Sequence, residues 1–296
     1  LTLLFVVSLT ALEKYSRKRQ LHFNSRSGKN TEPVKASRVR SLSIWIFCGF
    51  VFCLGFLIPV VTLVGYCVDY WLQNSNNKVW LHAQDTFILA ASAALIATII
   101  ALLFNSQQRF TPSTQNHSKL SLSSLGYAIP GTVLAIGILI PLSQLDIGLN
   151  HFIQWLGFEK VGLIFSGTSF ALIIAFIIRF SAIGNGSIQA AYKQMPTNLD
   201  SASTMLKASR LKTFHKIHLP ILRPALVSAF LLVFIECVKE LPASLLLRPF
   251  DFETLATYVF QFASDEQLEH AASSALLIIV VSLLPILLLS RSQKMQ

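Results

Sequence analysis

The chain has 296 residues, of which 53% are hydrophobic and only 13% charged, and it carries a formal charge of +10. Soluble domains carry about 25% charged residues, so this composition excludes an ordinary soluble globular fold. The basic excess is also unevenly placed. Nine Lys and Arg fall in 13–40, two in 105–119, seven in 179–223 and two in 291–296, out of 24 in all. Alternation of basic and charge-poor loops is the positive-inside pattern of a membrane protein, and it assigns the long loops and the C-terminus to the cytoplasmic side. The charge is therefore topological, and the expected partner is the lipid bilayer, with no nucleic acid.

In chain order, residues 1–12 are apolar but too short to span, and basic residues follow them. They read as the tail of a truncated transmembrane helix, with more protein expected upstream. Residues 13–41, rich in Ser, Asn, Lys and Arg, read as a flexible cytoplasmic linker. Six apolar runs follow, at 42–68, 84–104, 122–142, 161–180, 225–247 and 271–289. Each has about the 20 residues that a helix needs to cross ~30 Å of hydrocarbon. Stretches such as 87–104 are apolar on every face, as a buried or lipid-embedded helix must be. The expected fold class is all-α: a polytopic transmembrane helical bundle of about six spans over 42–290, with a cytoplasmic tail at 291–296.

Within that frame, 147–158 is an amphipathic piece suited to the membrane interface, with Trp155 as anchor. Gly126, Pro130, Gly131 and Gly137 loosen the third run, either for close helix packing or for a bend that lines a pathway. Arg179 closes the fourth run and Arg223 opens the fifth, both as snorkelling anchors on the inner side. Cys48, Cys53, Cys67 and Cys237 form no Cys-x-x-Cys pair and read as small buried hydrophobes. His215 and His218 share a helix face without a cluster of acids or Cys nearby, which makes it a solvated face, and no metal site is assigned.

The longest inward loop, 181–222, carries two helical stretches. Pro196 suits a first turn, Asp200 favours a helix N-terminus, and Leu199, Ala202 and Leu206 share a face. Leu211, Phe214 and Ile217 extend an apolar stripe beside Lys207, Arg210, Lys212 and Lys216. Such an amphipathic pair either lies on the membrane or docks into a groove of a partner protein.

This loop resembles the signature E-A-A-x-x-x-G, nine residues, I-x-L-P of inner-membrane permeases of binding-protein-dependent ABC importers. The pattern falls on Ser201, Ala202, Ser203, Lys207, Ile217, Leu219 and Pro220 with its spacing intact. Ser201 replaces the acidic residue, with Asp200 adjacent; Ser203 replaces Ala; Lys207 replaces Gly. A Lys in the left-handed turn that the Gly implies costs roughly 1 kcal/mol. The runs 126–135 (GYAIPGTVLA) and 239–250 (KELPASLLLRPF), with 252–256 (FETLA), resemble the ferric-iron branch of that superfamily. The resemblance implies the type I importer permease architecture, and members of the branch commonly carry two six-span repeats in one chain. This sequence then corresponds to the C-terminal half, partnered by the N-terminal repeat of the same chain or by a second permease subunit. It further implies a bacterial inner-membrane location, an ATPase partner and an extracytoplasmic binding protein.

Import against a gradient needs an energy source, and no G-x-x-x-x-G-K-[ST] phosphate loop occurs in the sequence. No cofactor is expected in this chain; ATP and magnesium belong to the partner ATPase, and the chain is a transport subunit without enzymatic activity of its own. The loop is the expected coupling element, with Ala202, Leu206, Ala208, Leu211 and Phe214 as its apolar docking surface. Glu236, Lys239 and Glu240 lie inside the fifth run, where each charge costs at least ~2.5 kcal/mol at the centre. Two readings stand. Glu236 and Glu240, one turn apart, belong with Pro130 and Gly131 to a translocation pathway whose oxygens suit a hard cation, or Lys239 pairs with a neighbouring acid beside a helix break at 239–242. The substrate expected from the resemblance is ferric iron, with thiamine, a phosphonate or sulfate as alternatives, and an ATP-independent secondary transporter as a rival of another class.

Overall fold

The computed structural model describes residues 37–71 and 78–293. The expected helix tail at 1–12 and the linker up to residue 36 lie outside the described residues, as do the last three residues of the C-terminal tail. Among the described residues every regular element is helical. In chain order they are α1 (Arg38–Phe52), α2 (Ile58–Trp71), α3 (Lys78–Phe110), α4 (Thr114–Ser123), α5 (Gly131–Trp155), α6 (Ser169–Gln194), α7 (Asn198–Met205), α8 (Arg210–Thr213), α9 (Leu219–Val238), α10 (Pro242–Leu247), α11 (Leu255–Ser264) and α12 (Leu268–Gln293). Six helical stretches are long and apolar enough to cross a membrane: Arg38–Asp69, Val79–Phe110, Gly131–Trp155, Ser169–Gln194, Arg210–Val238 and Leu268–Leu287.

Prolines shape two of these spans in the same way. The π-helical turn Cys53–Leu57 joins α1 to α2, and a second, Phe214–His218, joins α8 to α9. Each stands one residue before a proline, Pro59 or Pro220. A proline has no N–H to give and its ring crowds the carbonyl four residues back, so the backbone widens by one residue. The bonds Ile58 N–H to Cys53 O and Leu219 N–H to Phe214 O record that widening.

The core is a three-helix unit of α3, α6 and α9. Its contacts are made by small side chains: Ala90, Ala93, Ala94, Ala97 and Ala101 on α3, Ala171 and Ala175 on α6, and Ala229 on α9 are wholly buried. Lipid tails are as apolar as leucine, so helices in a bilayer gain by close backbone approach, which small residues allow. The α1–α2 span is exposed along its length, so Cys48 and Cys53 are exposed and Cys67 half-buried, and of the four cysteines expected to be buried only Cys237 is; α2 packs on α12, which also carries α11.

Span boundaries differ from the sequence reading, most of all at the third, fourth and fifth runs, the fifth ending at Val238 instead of 247. The third span begins at Gly131 rather than 122, because Leu125–Ala128 forms a 3-10 turn and Ile129, extended at φ −86° and ψ 130°, leads into Pro130. Residues 147–155 are not a separate helix but continue the helix of that span. The fourth span begins at Ser169, capped by the Thr168 hydroxyl, and runs to Gln194, well past Phe180. The chain before it is held by α5: Asp146, fully buried, accepts from the backbone N–H of Ile164, Phe165 and Ser166 at 2.8–2.9 Å and from the Ser166 hydroxyl at 2.6 Å. Asn150 holds Val161 and Gly162 in the same way.

Candidate functional site

Two groups of expected site residues are placed by this bundle, one at its basic end and one within it. At the basic end, α6 stops at Gln194 and the chain turns through Pro196 into α7, with Asp200 in the first turn. Asp200 does more than favour the helix dipole. Its Oδ2 receives Arg109 Nε at 2.7 Å and its Oδ1 faces His218 Nε2 at 2.7 Å. The Arg109 Nη atoms also reach the carbonyls of Tyr192, Met195 and Pro196 at 3.2–3.4 Å, at and just beyond the end of α6, where the helical ladder runs out. His218 is fully buried, stacked on Phe110 at 4.8 Å, with Nδ1 3.5 Å from the Tyr192 hydroxyl. The expectation of a solvated histidine face is therefore wrong for His218 and right for His215, which is exposed. The π turn at 214–218 separates the two rings.

α7 ends in a Schellman motif: Ala208 N–H bonds to Ser203 O at 3.0 Å and Lys207 N–H to Thr204 O at 2.9 Å. Lys207 holds the left-handed position at φ +53°, where glycine is the residue without steric cost. Ser203 is buried against Thr213, 3.1 Å away, which fastens α7 to α8. The outward side carries large apolar side chains: Met205, Leu206 and Leu211 are 85%, 83% and 68% exposed. Ser201 and Ala202 are exposed beside them, while Ala208 and Phe214 are half-buried at the rim. Ile217 lies on the π turn that joins this platform to α9, and Leu219 and Pro220 are the first residues of α9. Met205 was missed by the sequence reading, although its place next to Leu206 was visible.

Within the bundle, α9 ends at Val238 and the chain restarts at Pro242, so Lys239–Leu241 is a break. The break separates the two glutamates. Glu236 pairs with Lys239 at 2.7 Å, both partly exposed. Glu240 is off the helix, 7% exposed, 3.2 Å from Arg179 Nε and accepting from Ala243 N–H at the start of α10. The expectation that the glutamates share one helix face fails because the helix stops between them.

Arg179 is not an inner-side anchor either. It lies at the middle of α6, roughly 15 Å along the axis from Ser169. Its Nη1 donates to Ile129 O at 2.9 Å. Gly131 completes the contact: a Cβ there would stand 2.7 Å from Glu240 Oε1 and 3.1 Å from Arg179 Nη1. The Ile129–Pro130 break and the Lys239–Leu241 break are thus joined by one ion pair, and Glu240 and Gly131 meet while Glu236 stays apart. Beyond α10, Arg248 pairs with Glu253 and leaves Asp251 exposed. Among the described residues no group of three His, Cys, Asp or Glu is arranged to hold a metal.

Residues 115–296 match the family described as "Binding-protein-dependent transport system inner membrane component". The chain is 27% identical over 204 residues to the ferric transport system permease protein FbpB of Actinobacillus pleuropneumoniae, covering 68% of this chain and 29% of that protein. It is 26% identical over 257 residues to the Fe(3+)-transport system permease protein FbpB 2 of Haemophilus influenzae, covering 83% and 46%. It thus spans less than half the length of these ferric relatives. The sulfate transport system permease protein CysT of Salmonella typhimurium is 25% identical over 254 residues, covering 80% of this chain and 86% of that one. Among solved structures, a chain of the bacterial alginate ABC transporter in complex with an alginate pentasaccharide-bound periplasmic protein superposes with a TM-score of 0.61 at 15% identity, covering 84% of this chain and 92% of that chain. The family match over more than half of the sequence, on an all-helical bundle with six candidate spans, shows that the chain belongs to the binding-protein-dependent permeases of ABC importers, multi-pass proteins of the inner membrane.

Proposed function

We propose that this chain moves ferric iron, delivered by an extracytoplasmic binding protein, into the cytoplasm by ATP hydrolysis in a separate subunit that grips α7 and α8. The observation that carries the reading is the apolar platform of Met205, Leu206 and Leu211, set in the family's signature loop and exposed among basic residues. Isolated apolar side chains on a surface are ordinary, but three large ones on one short helical hairpin at the basic end form a docking patch. In this reading the basic end and the C-terminus are cytoplasmic, and ATP and magnesium stay on the partner. A second permease half, in the same chain or another, completes the pathway.

Iron is favoured over sulfate by the ferric relatives and by the 239–250 run, whose glutamate and proline build the break at Glu240. The experiment is uptake of labelled ferric iron and labelled sulfate by a strain lacking the gene, with and without the restored full-length gene. Loss of iron uptake alone supports the reading; loss of sulfate uptake alone replaces iron with sulfate. A Leu206→Asp variant is expected to lose the ATPase on affinity purification from membranes by roughly ten-fold or more, since a buried charge without a partner costs several kcal/mol.

A further inference from the structure

In the proposed function α7 meets the partner with one side, and its other side is tied inward by groups that are not among the fixed residues of the family signature. We infer that Arg109, Asp200 and His218 form a clamp that makes α7 move as one body with α3, α6 and α9, and so transmits the ATPase stroke to the spans. The proposal rests on the coupling reading of the loop and deepens it by naming the positioning residues.

The geometry divides one carboxylate between two core helices. Asp200 Oδ2 takes Arg109, near the C-terminal end of α3, and Oδ1 takes His218, on the π turn that leads into α9, each at 2.7 Å. Arg109 also binds three carbonyls at the end of α6. A carboxylate oxygen accepts, so in this pairing His218 Nε2–H is the donor to Oδ1. Packing fixes the ring as well: Phe110 lies parallel to it at 7° and Tyr192 meets it edge-on at 78°.

Tyr192 continues the chain of contacts to Ser106, 3.2 Å away on α3. Beside it, Asn105 on α3 bonds to Asn185 on α6, which donates to Ser123 on α4. Charge-assisted bonds are short and directional, and with Arg109 16%, His218 0% and Asp200 29% exposed, solvent screens them only in part. A loop resting on the bundle by apolar contact alone would slide under load. One held by a divided carboxylate pulls three helices with it.

The departure from the family signature fits this placement. The signature acid falls on Ser201, which is exposed, whereas the acid of this chain sits one residue earlier, on the inward side. One position along a helix is a rotation of about 100°, enough to turn a side chain from a partner to the core.

The test uses the full-length chain with its ATPase and binding protein in membrane vesicles. Three quantities are read: ATPase retained on affinity purification, ATP hydrolysed, and labelled ferric ion accumulated. Arg109→Gln and His218→Leu are expected to retain the ATPase and to keep hydrolysing ATP, while iron accumulated per ATP falls roughly ten-fold, the size of an ordinary coupling free energy. His218→Gln, which restores an N–H donor toward Asp200, is expected to recover most of that ratio. Parent-like ratios in both Arg109→Gln and His218→Leu overturn the clamp. So does a fall in uptake that only tracks lost ATPase, because the residues then merely fold the docking surface. Should His218→Leu fail to reach the membrane, Arg109→Gln, at the clamp's outer rim, decides alone. A parent chain that holds no ATPase overturns the reading of the loop itself, an outcome distinct from either failure of the clamp.

Discussion

Lys207 shows how much a single position holds. The signature alignment places it where relatives of this type carry glycine, and the backbone there is left-handed at φ +53°. A side chain in that region costs about 1–2 kcal/mol, partly offset by the extra freedom glycine would give the unfolded chain. Lys207→Gly is therefore expected to raise stability by up to about 1 kcal/mol, read as a higher thermal unfolding midpoint in detergent. A fall in the midpoint would show that the lysine makes a compensating contact. Gly126 makes the opposite demand. A Cβ there would lie 2.0 Å from Ile178 O, which no side-chain adjustment relieves because the obstacle is backbone. Gly126→Ala is expected to destabilise by about 1–3 kcal/mol, the usual range for overpacking, and to lower the yield of protein in the membrane.

Arg179 and Glu240 were hidden from sequence reasoning for a related cause. Reading apolar runs ends a span at the first charge, so Arg179 looked terminal. The partner that lets it stay inside is 61 positions away, at a helix break whose proline was visible but whose pairing was not. Removing one member leaves the other charged and buried, so Arg179→Gln or Glu240→Gln is expected to cost about 3–5 kcal/mol. The double replacement Arg179→Met, Glu240→Leu is expected to recover most of it. Comparing the three unfolding midpoints checks this; equal losses in all three would mean that the pair does not act as a unit. His218 was misread in the same way, because Asp200 and Arg109 are brought to it only by the fold.

At the scale of elements, the number of spans, their helical character and the basic hairpin were legible, since each rests on local composition over about 20 residues. The ends of the spans were not. α5 runs to Trp155 because Asp146 and Asn150 find backbone partners in the following segment, which removes the penalty that polar residues suggest. α6 runs to Gln194 because Asn185 and Tyr192 find partners on other helices, and Ser181 bonds back to the Ile177 carbonyl of its own helix. Polar residues inside a span thus mark inter-helix contacts here rather than its boundary. The π turns before Pro59 and Pro220 were foreseeable in place, as prolines within helices, but not in form.

At the scale of the whole molecule, the three-helix core, the clamped hairpin and the ion pair between two helix breaks lie along α6: Tyr192 stands at one end and Arg179 at its middle. Under the proposed coupling, a push on α7 would reach the breaks along α6, which suits rigid-body alternation of access. The central claim is that a partner ATPase grips the α7–α8 hairpin. It is tested most directly by placing a photo-crosslinking residue at Leu211 of the full-length chain and irradiating native membranes that contain the transporter. The account predicts a covalent product with the ATPase that disappears when the crosslinker is moved to the opposite end of the bundle, at Phe250. Crosslinking of Leu211 to lipid alone, in membranes where the ATPase is present and active, would contradict it.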